Sequence, residues 1–436
     1  MDHMMLVSTA RPENAQGRSV FSRRSIITPL LTALLVAAGA AQAQQSLDWS
    51  LEPFAGNAVR LFGADSDFNN GVWVAGHSSL AESPYSFRNF IARWDGLEWV
   101  VTPVPQPAEA VDDRDHSLRS IAALGPDDAI AVGAHDKLDA NVSVPQSMRW
   151  NGTDWQVLEV PDEIAGSGNG SGAFDDVART GDTAWAVGSF VGAGPSGPDM
   201  PIARFFATRL DGDQWQAFVP PLYDGIQDQE LARYFARTVA GASDDDVWIG
   251  GRVEQTGEGP DGPLLGHWNG SQWQWSDIWP LFDSGIADIS DILALASDNV
   301  WAVGVETLVE GTTTRDVAVV LHWDGAQWSR VAVPDEPDRN VILHTVTARS
   351  ASEIYAAGAA FPDDGPLEAY LLRYDGEDWA TVPDVELADG SQFFAAAISP
   401  VGQLWLTGRA NELSLPGLAQ RAWLEGIILF RDSFGD

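Results

Sequence analysis

Four neighbouring side chains, Asp112, Asp113, Asp115 and His116, could bind a cation. Oxygen-rich clusters of this kind suit Ca²⁺. Their spacing is not that of an EF-hand loop, however, and solvated loop charge is the favoured explanation. Apart from Ca²⁺ at this group, no cofactor is expected.

Other catalytic signals are weak, and no catalytic residue is assigned. The chain has no Cys, which excludes a thiol nucleophile. Its histidines lack the H-E-x-x-H spacing of a zinc protease. The glycine-rich segment 166–172 lacks the strand–turn–helix setting of a nucleophile elbow. Paired acids are numerous, so a glycosidase or lyase stays open, although no pair stands out.

The charge of the chain limits its partners. The formal net charge is −37, from 25 Lys and Arg against 62 Asp and Glu. Such acidity disfavours nucleic acid and anionic membrane surfaces. A protein or a glycan remains as the partner, and we expect a monomer. Improved solubility is the simpler explanation of the acidity.

The N-terminus has the pattern of an export signal. Arg23 and Arg24 precede an apolar run, 26–40, which ends at Ala41-Gln42-Ala43. Small residues at this spacing predict a signal peptide, 1–43, cleaved after Ala43. We therefore expect a secreted or periplasmic protein with no membrane insertion after cleavage. Without Cys its stability must come from packing rather than disulfides.

Two short patterns alternate along the rest of the chain, seven copies of each. One is a short apolar strand ending in Gly, such as Val300-Trp-Ala-Val-Gly304, and in the fourth unit it ends at Gly250. The other is a hairpin, W-D/N-G-x-x-W, whose last copy, at 423–426, is degenerate. Asp-Gly or Asn-Gly between strands predicts a type I′ turn with positive φ at both central residues. The hairpin tryptophans are Trp94, Trp99, Trp150, Trp155, Trp215, Trp268, Trp273, Trp323, Trp328 and Trp379.

Each unit contains four strand-like segments and no sustained helical periodicity. This predicts an all-β fold, a seven-bladed β-propeller of four-stranded antiparallel blades over residues 44–425, followed by a tail, 426–436. The last unit lacks an outer strand with the usual Trp. We expect residues 44–57 to supply that strand, and the rival is Ile427–Arg431. The hairpin tryptophans are expected to fill the gaps between blades rather than bind a ligand.

Loop lengths distinguish the two faces of such a disc. Short links and hairpins lie on one face, and the long, acidic links lie on the other, where function is expected. Arg119, Asp175, Arg237 and His344 occupy similar positions near the start of the inner strand. They could surround the mouth of the central channel, and ion pairing between blades is the alternative.

The repeated units resemble those of kelch-like and galactose-oxidase-like bacterial β-propellers, which read W-D/N-G-x-x-W … D-x-W-A-V-G. The resemblance covers about 45–425 and implies the fold rather than a function. We expect an exported, non-enzymatic propeller that binds a protein or glycan through its acidic long-loop face. The alternative is a carbohydrate-active hydrolase or lyase with acidic residues at the channel mouth.

Overall fold

The computed structural model describes residues 49–51, 59–69, 71–80, 83–105, 116–137, 142–161, 164, 171–194, 197–226, 228–255, 261–363, 365–383, 390–409 and 424–427. All of them belong to one compact unit, Ser46–Asp436. The expected signal peptide lies outside the described residues. Within the described part of the chain, no helix is long and apolar enough to span a membrane.

Twenty-four strands form six blades, each a sheet of four consecutive antiparallel strands. Blades 1 to 3 contain β2 to β13: Val59–Ser66, Val72–Leu80, Ser83–Trp94 and Trp99–Thr102; His116–Gly125, Asp128–Asp136, Ser143–Trp150 and Trp155–Leu158; Ser171–Thr180, Thr183–Gly194, Gly197–Asp211 and Gln214–Ala217. Blades 4 to 6 contain β14 to β25: Arg233–Ser243, Asp246–Glu254, Gly262–Trp268 and Trp273–Trp275; Ala287–Ala296, Asn299–Glu310, Thr313–Trp323 and Trp328–Arg330; Arg339–Ser350, Glu353–Pro362, Glu368–Tyr374 and Trp379–Thr381.

A seventh sheet is a composite of both ends of the described chain. It contains β26 (Gln392–Ile398), β27 (Leu404–Arg409), β28 (Leu424–Ile427) and, as its outer strand, β1 (Trp49–Leu51). Residue Trp49 pairs with Ile427, and Leu51 pairs with Glu425. The N-terminal segment therefore holds the outer position in this sheet.

The prediction of a seven-bladed β-propeller is wrong. Six blades consist of four consecutive strands, and the remaining position in the ring is filled by the composite sheet. The reason is local. The sequence was read as a degenerate hairpin at 423–426, but residues Leu424–Ile427 are a strand. The chain thus forms no Trp–Asp-Gly–Trp hairpin there, and the outer strand must come from elsewhere.

The first strand of each sheet lies innermost, and each contacts the first strand of the next sheet, so the ring closes from β26 to β2. Second strands such as β7 are buried along nearly their whole length, because both of their faces pack against neighbouring sheets. Their apolar runs thus make the core between sheets, and the first strands surround a central channel.

Aromatic clusters fill the wider outer gaps between sheets. A second-strand Trp contacts the hairpin pair of the next blade at ring distances of 5.1–6.1 Å, and its contact with the second member of the pair is edge-on or nearly so. Five such clusters occur among the described residues: Trp405 with Trp94 and Trp99; Trp73 with Trp150 and Trp155; Trp185 with Trp268 and Trp273; Trp248 with Trp323 and Trp328; Trp301 with Tyr374 and Trp379. In blade 3, Trp215 instead packs on Phe174 of its own blade.

The hairpins differ from the predicted type I′ turn. Among described non-glycine residues only Asp228 has a positive φ, so the Asp or Asn of each turn does not. Asp324, for example, begins a four-residue loop between Trp323 and Trp328. Its carboxylate accepts the backbone N–H groups of residues 326 and 327 at 2.9 Å. This side-chain turn, with Gly325 at φ 90°, replaces the backbone geometry expected.

Candidate functional site at the channel mouth

A bulge in each inner strand positions the candidate site. The strand pairing skips one residue in each of the seven first strands, and the bulge follows directly after the residue opposite a second-strand glycine. A Cβ on any of these glycines would lie 1.9–2.1 Å from a carbonyl oxygen of the inner strand. Only glycine permits this approach. The glycines are Gly76, Gly133, Gly188, Gly251, Gly304, Gly358 and Gly408.

The skipped residues line the central cavity, and we call them the mouth ring. They are Phe62, Arg119, Asp175, Arg237, Ser290, His344 and Phe394. The cavity has a volume of about 430 Å³. The structure thus brings together all four residues that the sequence placed at the mouth, Arg119, Asp175, Arg237 and His344.

One sector of the ring is charged, and its charges are paired. Arg119 forms an ion pair with Asp175 of the next blade. Arg237 lies 3.3 Å from Asp288, which also accepts from Arg252 at 3.2 Å. Burial raises the pKa of Asp175 and of Asp288, and the arginines oppose that shift. Ion pairing between blades therefore operates here, as the alternative reading of these residues predicted.

The opposite sector is aromatic. The ring of Phe394 lies 5.3 Å from Phe62 and 5.6 Å from His344, and Phe62 meets His77 edge-on at 5.2 Å. Burial, followed by the charge of Arg409, lowers the pKa of His344 to about 4. His344 is therefore neutral at pH 7. Its imidazole presents a flat, uncharged ring beside the two phenylalanines.

Three further carboxylates lie in the channel wall and connect neighbouring blades. Asp176 accepts from the Ser120 hydroxyl at 2.6 Å on one side and from the Val239 N–H at 2.9 Å on the other. Asp291 likewise joins Thr238 to Val346. Asp65 accepts from the N–H of residue 123 at 2.8 Å. These bonds fix the angle between successive sheets.

Burial makes these carboxyls unusually weak acids. It raises the pKa of Asp176 to about 7, with a further contribution from the charge of Asp291. The pKa values of Asp291 and Asp65 rise to about 6, again chiefly through burial. Such shifts are common among catalytic acids. Here each carboxylate already accepts two or three hydrogen bonds, which favours a structural role.

The remaining candidates do not join the mouth. His116 is fully buried at the start of β6, where its ring stacks on His135 at 6.2 Å. It is therefore not part of an accessible binding surface. Asp112, Asp113 and Asp115 lie outside the described residues. Within the described ranges, no group of three or more His, Asp or Glu side chains is placed to hold a metal ion.

Three members of the mouth ring were not predicted from the sequence: Phe62, Ser290 and Phe394. A signal for them existed in the repeated glycine of each second strand, because the bulge follows the residue opposite it. The second strands continue past that glycine, although the sequence pattern predicted that they end there. In blade 4 the equivalent glycine is Gly251 rather than Gly250, which the sequence pattern had suggested. Aligning the seven glycines would have located the whole ring.

No protein-family model matches the chain, and no curated protein matches it. Solved structures do. A PL25 polysaccharide lyase, an ulvan lyase bound to -[GlcA(1-4)Rha3S]-, has TM-score 0.53 and 11% identity, covering 86% of this chain and 95% of its own. The GH74 xyloglucanase from Xanthomonas campestris has TM-score 0.51 and 13% identity, covering 86% of this chain and 55% of its own. YCF48 bound to D1 peptide has TM-score 0.49 and 14% identity, covering 88% and 99%. The structural similarities to the ulvan lyase and the xyloglucanase support the repeated-blade fold and nothing finer.

Proposed function

We propose that this protein is an exported β-propeller that binds a glycan at the mouth of its channel. One observation carries the proposal: seven inner-strand bulges direct seven side chains of differing chemistry toward a cavity of about 430 Å³. That volume is within the usual range for small-ligand sites. The acidic loop residues Asp112, Asp113 and Asp115, which the sequence favoured for binding, lie outside the described residues and do not support it.

The two sectors of the mouth suit the two kinds of surface on a sugar. The rings of Phe62, His344 and Phe394 offer flat apolar faces, on which the C–H face of a pyranose can stack. Across the mouth, Arg119 and Asp175 offer charged donors and acceptors for hydroxyl groups. Propellers of similar fold include enzymes acting on polysaccharides, which is consistent with this chemistry.

A glycan array probed with the mature protein tests the proposal. The double variant Phe62→Ala/Phe394→Ala should lose the binding shown by the natural protein. Phe68→Ala is the matched control, because Phe68 is an exposed phenylalanine on the short link between β2 and β3, outside the residues that line the cavity. Loss of binding in Phe68→Ala alone would reject the mouth as the site, and an array without any bound glycan would reject glycan binding.

Hydrolase or lyase activity is the second candidate, favoured by the pKa of Asp176, which is about 7 beside the cavity. A carboxyl group half-protonated near neutral pH can act as a general acid. Products released from the bound glycan, and abolished in Asp176→Asn without loss of binding, would establish it. We favour binding without turnover because both oxygens of Asp176 are already engaged by blades 2 and 4.

A further inference from the structure

The cavity at the mouth continues down the channel, and we call this deeper part the well. All seven innermost strands contribute residues to its wall. In β10 these residues run from Asp175 at the mouth to Arg179, and in β18 they run from Ser290 to Ala294. Four residues of a strand span about 13 Å. The well is therefore enclosed by protein around its whole circumference and extends below the mouth ring.

The wall of the well offers backbone donors and acceptors. Each innermost strand is the edge of its sheet and pairs with one other strand only. At such an edge, alternate residues direct their N–H and C=O groups away from the sheet. The wall carboxylates take some of these N–H groups, such as that of Val239, which donates to Asp176 at 2.9 Å. The other groups on these edges suit the hydroxyl groups of a sugar, which both donate and accept.

Side chains at the deeper level of the wall are small in five of the seven sheets. Each of them is half-buried and lines the cavity: Ala64, Ala178, Ala294, Thr347 and Ala396. The mouth ring above them carries arginine, phenylalanine and histidine instead. Space and backbone groups, rather than large side chains, therefore characterise the well.

Arg179 is the charged group at the far end of the well. It is exposed, lines the cavity and lies one residue before the end of β10. Its Nη1 donates to the Gly181 carbonyl at 3.1 Å, and its guanidinium lies 5.2 Å from the ring centre of Phe68 in blade 1. The side chain thus reaches from blade 3 past blade 2 toward blade 1. The bond to Gly181 holds the guanidinium without the help of Phe68.

Arg179 retains donors for a ligand. A guanidinium has five N–H donors, and one nitrogen of Arg179 is engaged by the described residues. Its charge also acts on the wall of blade 1. Burial raises the pKa of Asp65 to about 6, and two backbone N–H groups and the charge of Arg179 oppose that shift. Arg179 can therefore donate to a sugar that enters the well from the mouth.

We propose, resting on the glycan-binding function above, that the protein recognises the end of a glycan chain. The terminal sugar enters the well, where its hydroxyl groups accept hydrogen bonds from Arg179, and a preceding sugar stacks on Phe62 and Phe394 at the mouth. A sugar inside a chain continues in two directions. A well that is closed around its circumference, with Arg179 reaching across its far end, excludes such a sugar.

The test uses the two orientations of one probe. Every linear hexasaccharide of the glycan array is printed twice, once coupled through its reducing end and once through its non-reducing end. Both forms contain the same internal sugars, and they differ in the end that is free. We expect the natural protein to bind each recognised hexasaccharide in one orientation only, which also identifies the end that enters the well.

A substitution then tests the depth of binding. Arg179→Gln should weaken the recognised hexasaccharide about tenfold, the loss typical of removing a charged hydrogen-bond partner. Arg315→Gln is the control, because it removes the same charge beside a separate groove between blades 5 and 6 and should leave the affinity unchanged. The orientation comparison uses the natural protein and stands even if a variant fails to fold.

The outcomes separate this proposal from the proposed function. Equal binding of both orientations would overturn recognition of the chain end and leave glycan binding intact. An unchanged affinity in folded Arg179→Gln would overturn the placement of the terminal sugar at the far end of the well. An array on which neither orientation of any glycan is bound would overturn both proposals.

Discussion

The mouth ring and the outer aromatic clusters occupy opposite edges of the same sheets, and they use sequence in opposite ways. The outer positions repeat one residue type, so that Trp248, Trp323 and Trp328 reproduce the cluster of Trp73, Trp150 and Trp155. The seven mouth positions share a backbone bulge but carry five different residue types.

This difference has a physical origin. The five outer gaps that hold these clusters pose the same packing problem, so one large side chain type fills each of them. The mouth residues face open space rather than a neighbouring sheet, so packing does not dictate their identity. Repetition therefore marks the scaffold, and variation at a fixed backbone position marks the surface available to a ligand.

Removing one tryptophan of an outer cluster should reduce the stability of the protein most. Trp328 is buried against Trp248 at 5.2 Å, and Trp328→Ala should lower the free energy of unfolding by about 3–5 kcal/mol. Urea unfolding followed by fluorescence measures this. Leu97→Ala, at an exposed tip of another hairpin, is the control and should change it by less than about 0.5 kcal/mol. Equal stability of the two variants would contradict a packing role for the tryptophan.

A second-strand glycine links the two regions, because it permits the bulge that presents a mouth residue. In Gly304→Ala the new methyl group would lie 2.0 Å from the Asp288 carbonyl oxygen. We expect a loss of about 3 kcal/mol in unfolding free energy, at the upper end for added core atoms. Gly192→Ala, whose methyl group would meet its nearest atom at 4.0 Å, should be close to neutral. An unchanged unfolding free energy in Gly304→Ala would contradict the steric explanation of the bulge.

The channel-wall carboxylates predict a smaller, pH-dependent effect. The pKa of Asp176 is about 7 in the folded protein and about 4 in an unfolded chain, so the folded state binds more protons between these values. The Asp176 contribution to stability therefore falls as pH rises from about 4 to 7. Since an amide does not ionise, the stability of Asp176→Asn relative to that of the natural protein should increase between pH 5 and pH 8.

Urea midpoints at the two pH values measure this change, with Asp182→Asn, at an exposed turn, as the control. A relative stability of Asp176→Asn that stays constant or falls with pH would show that the carboxyl titrates normally. That result would also remove the observation that favours an enzymatic role for Asp176.

Much of the fold follows from sequence because its signals are local. Hairpin tryptophans and second-strand glycines recur in register, which defines the blades and placed Arg119, Asp175, Arg237 and His344 at one level of the channel. The kelch-like resemblance, by contrast, has no matching family model and stays an expectation.

What the sequence reading missed depends on contacts between distant residues. The outer strand of the composite sheet was not among these, because the sequence led us to expect it from residues 44–57, and Trp49–Leu51 pairs with Leu424–Ile427. The turn type failed because a side-chain oxygen of Asp324 replaced backbone geometry. Phe62 and Phe394 were missed because their approach to 5.3 Å joins two ends of the propeller.

The most direct test of the mouth as the binding surface is a crystal structure of the protein with its glycan bound. We expect a sugar ring in van der Waals contact with Phe62 and Phe394 at the channel mouth. Sugar bound instead on the hairpin tryptophans, such as Trp94 or Trp323, would contradict it, because the repeated residues would then be the recognition surface.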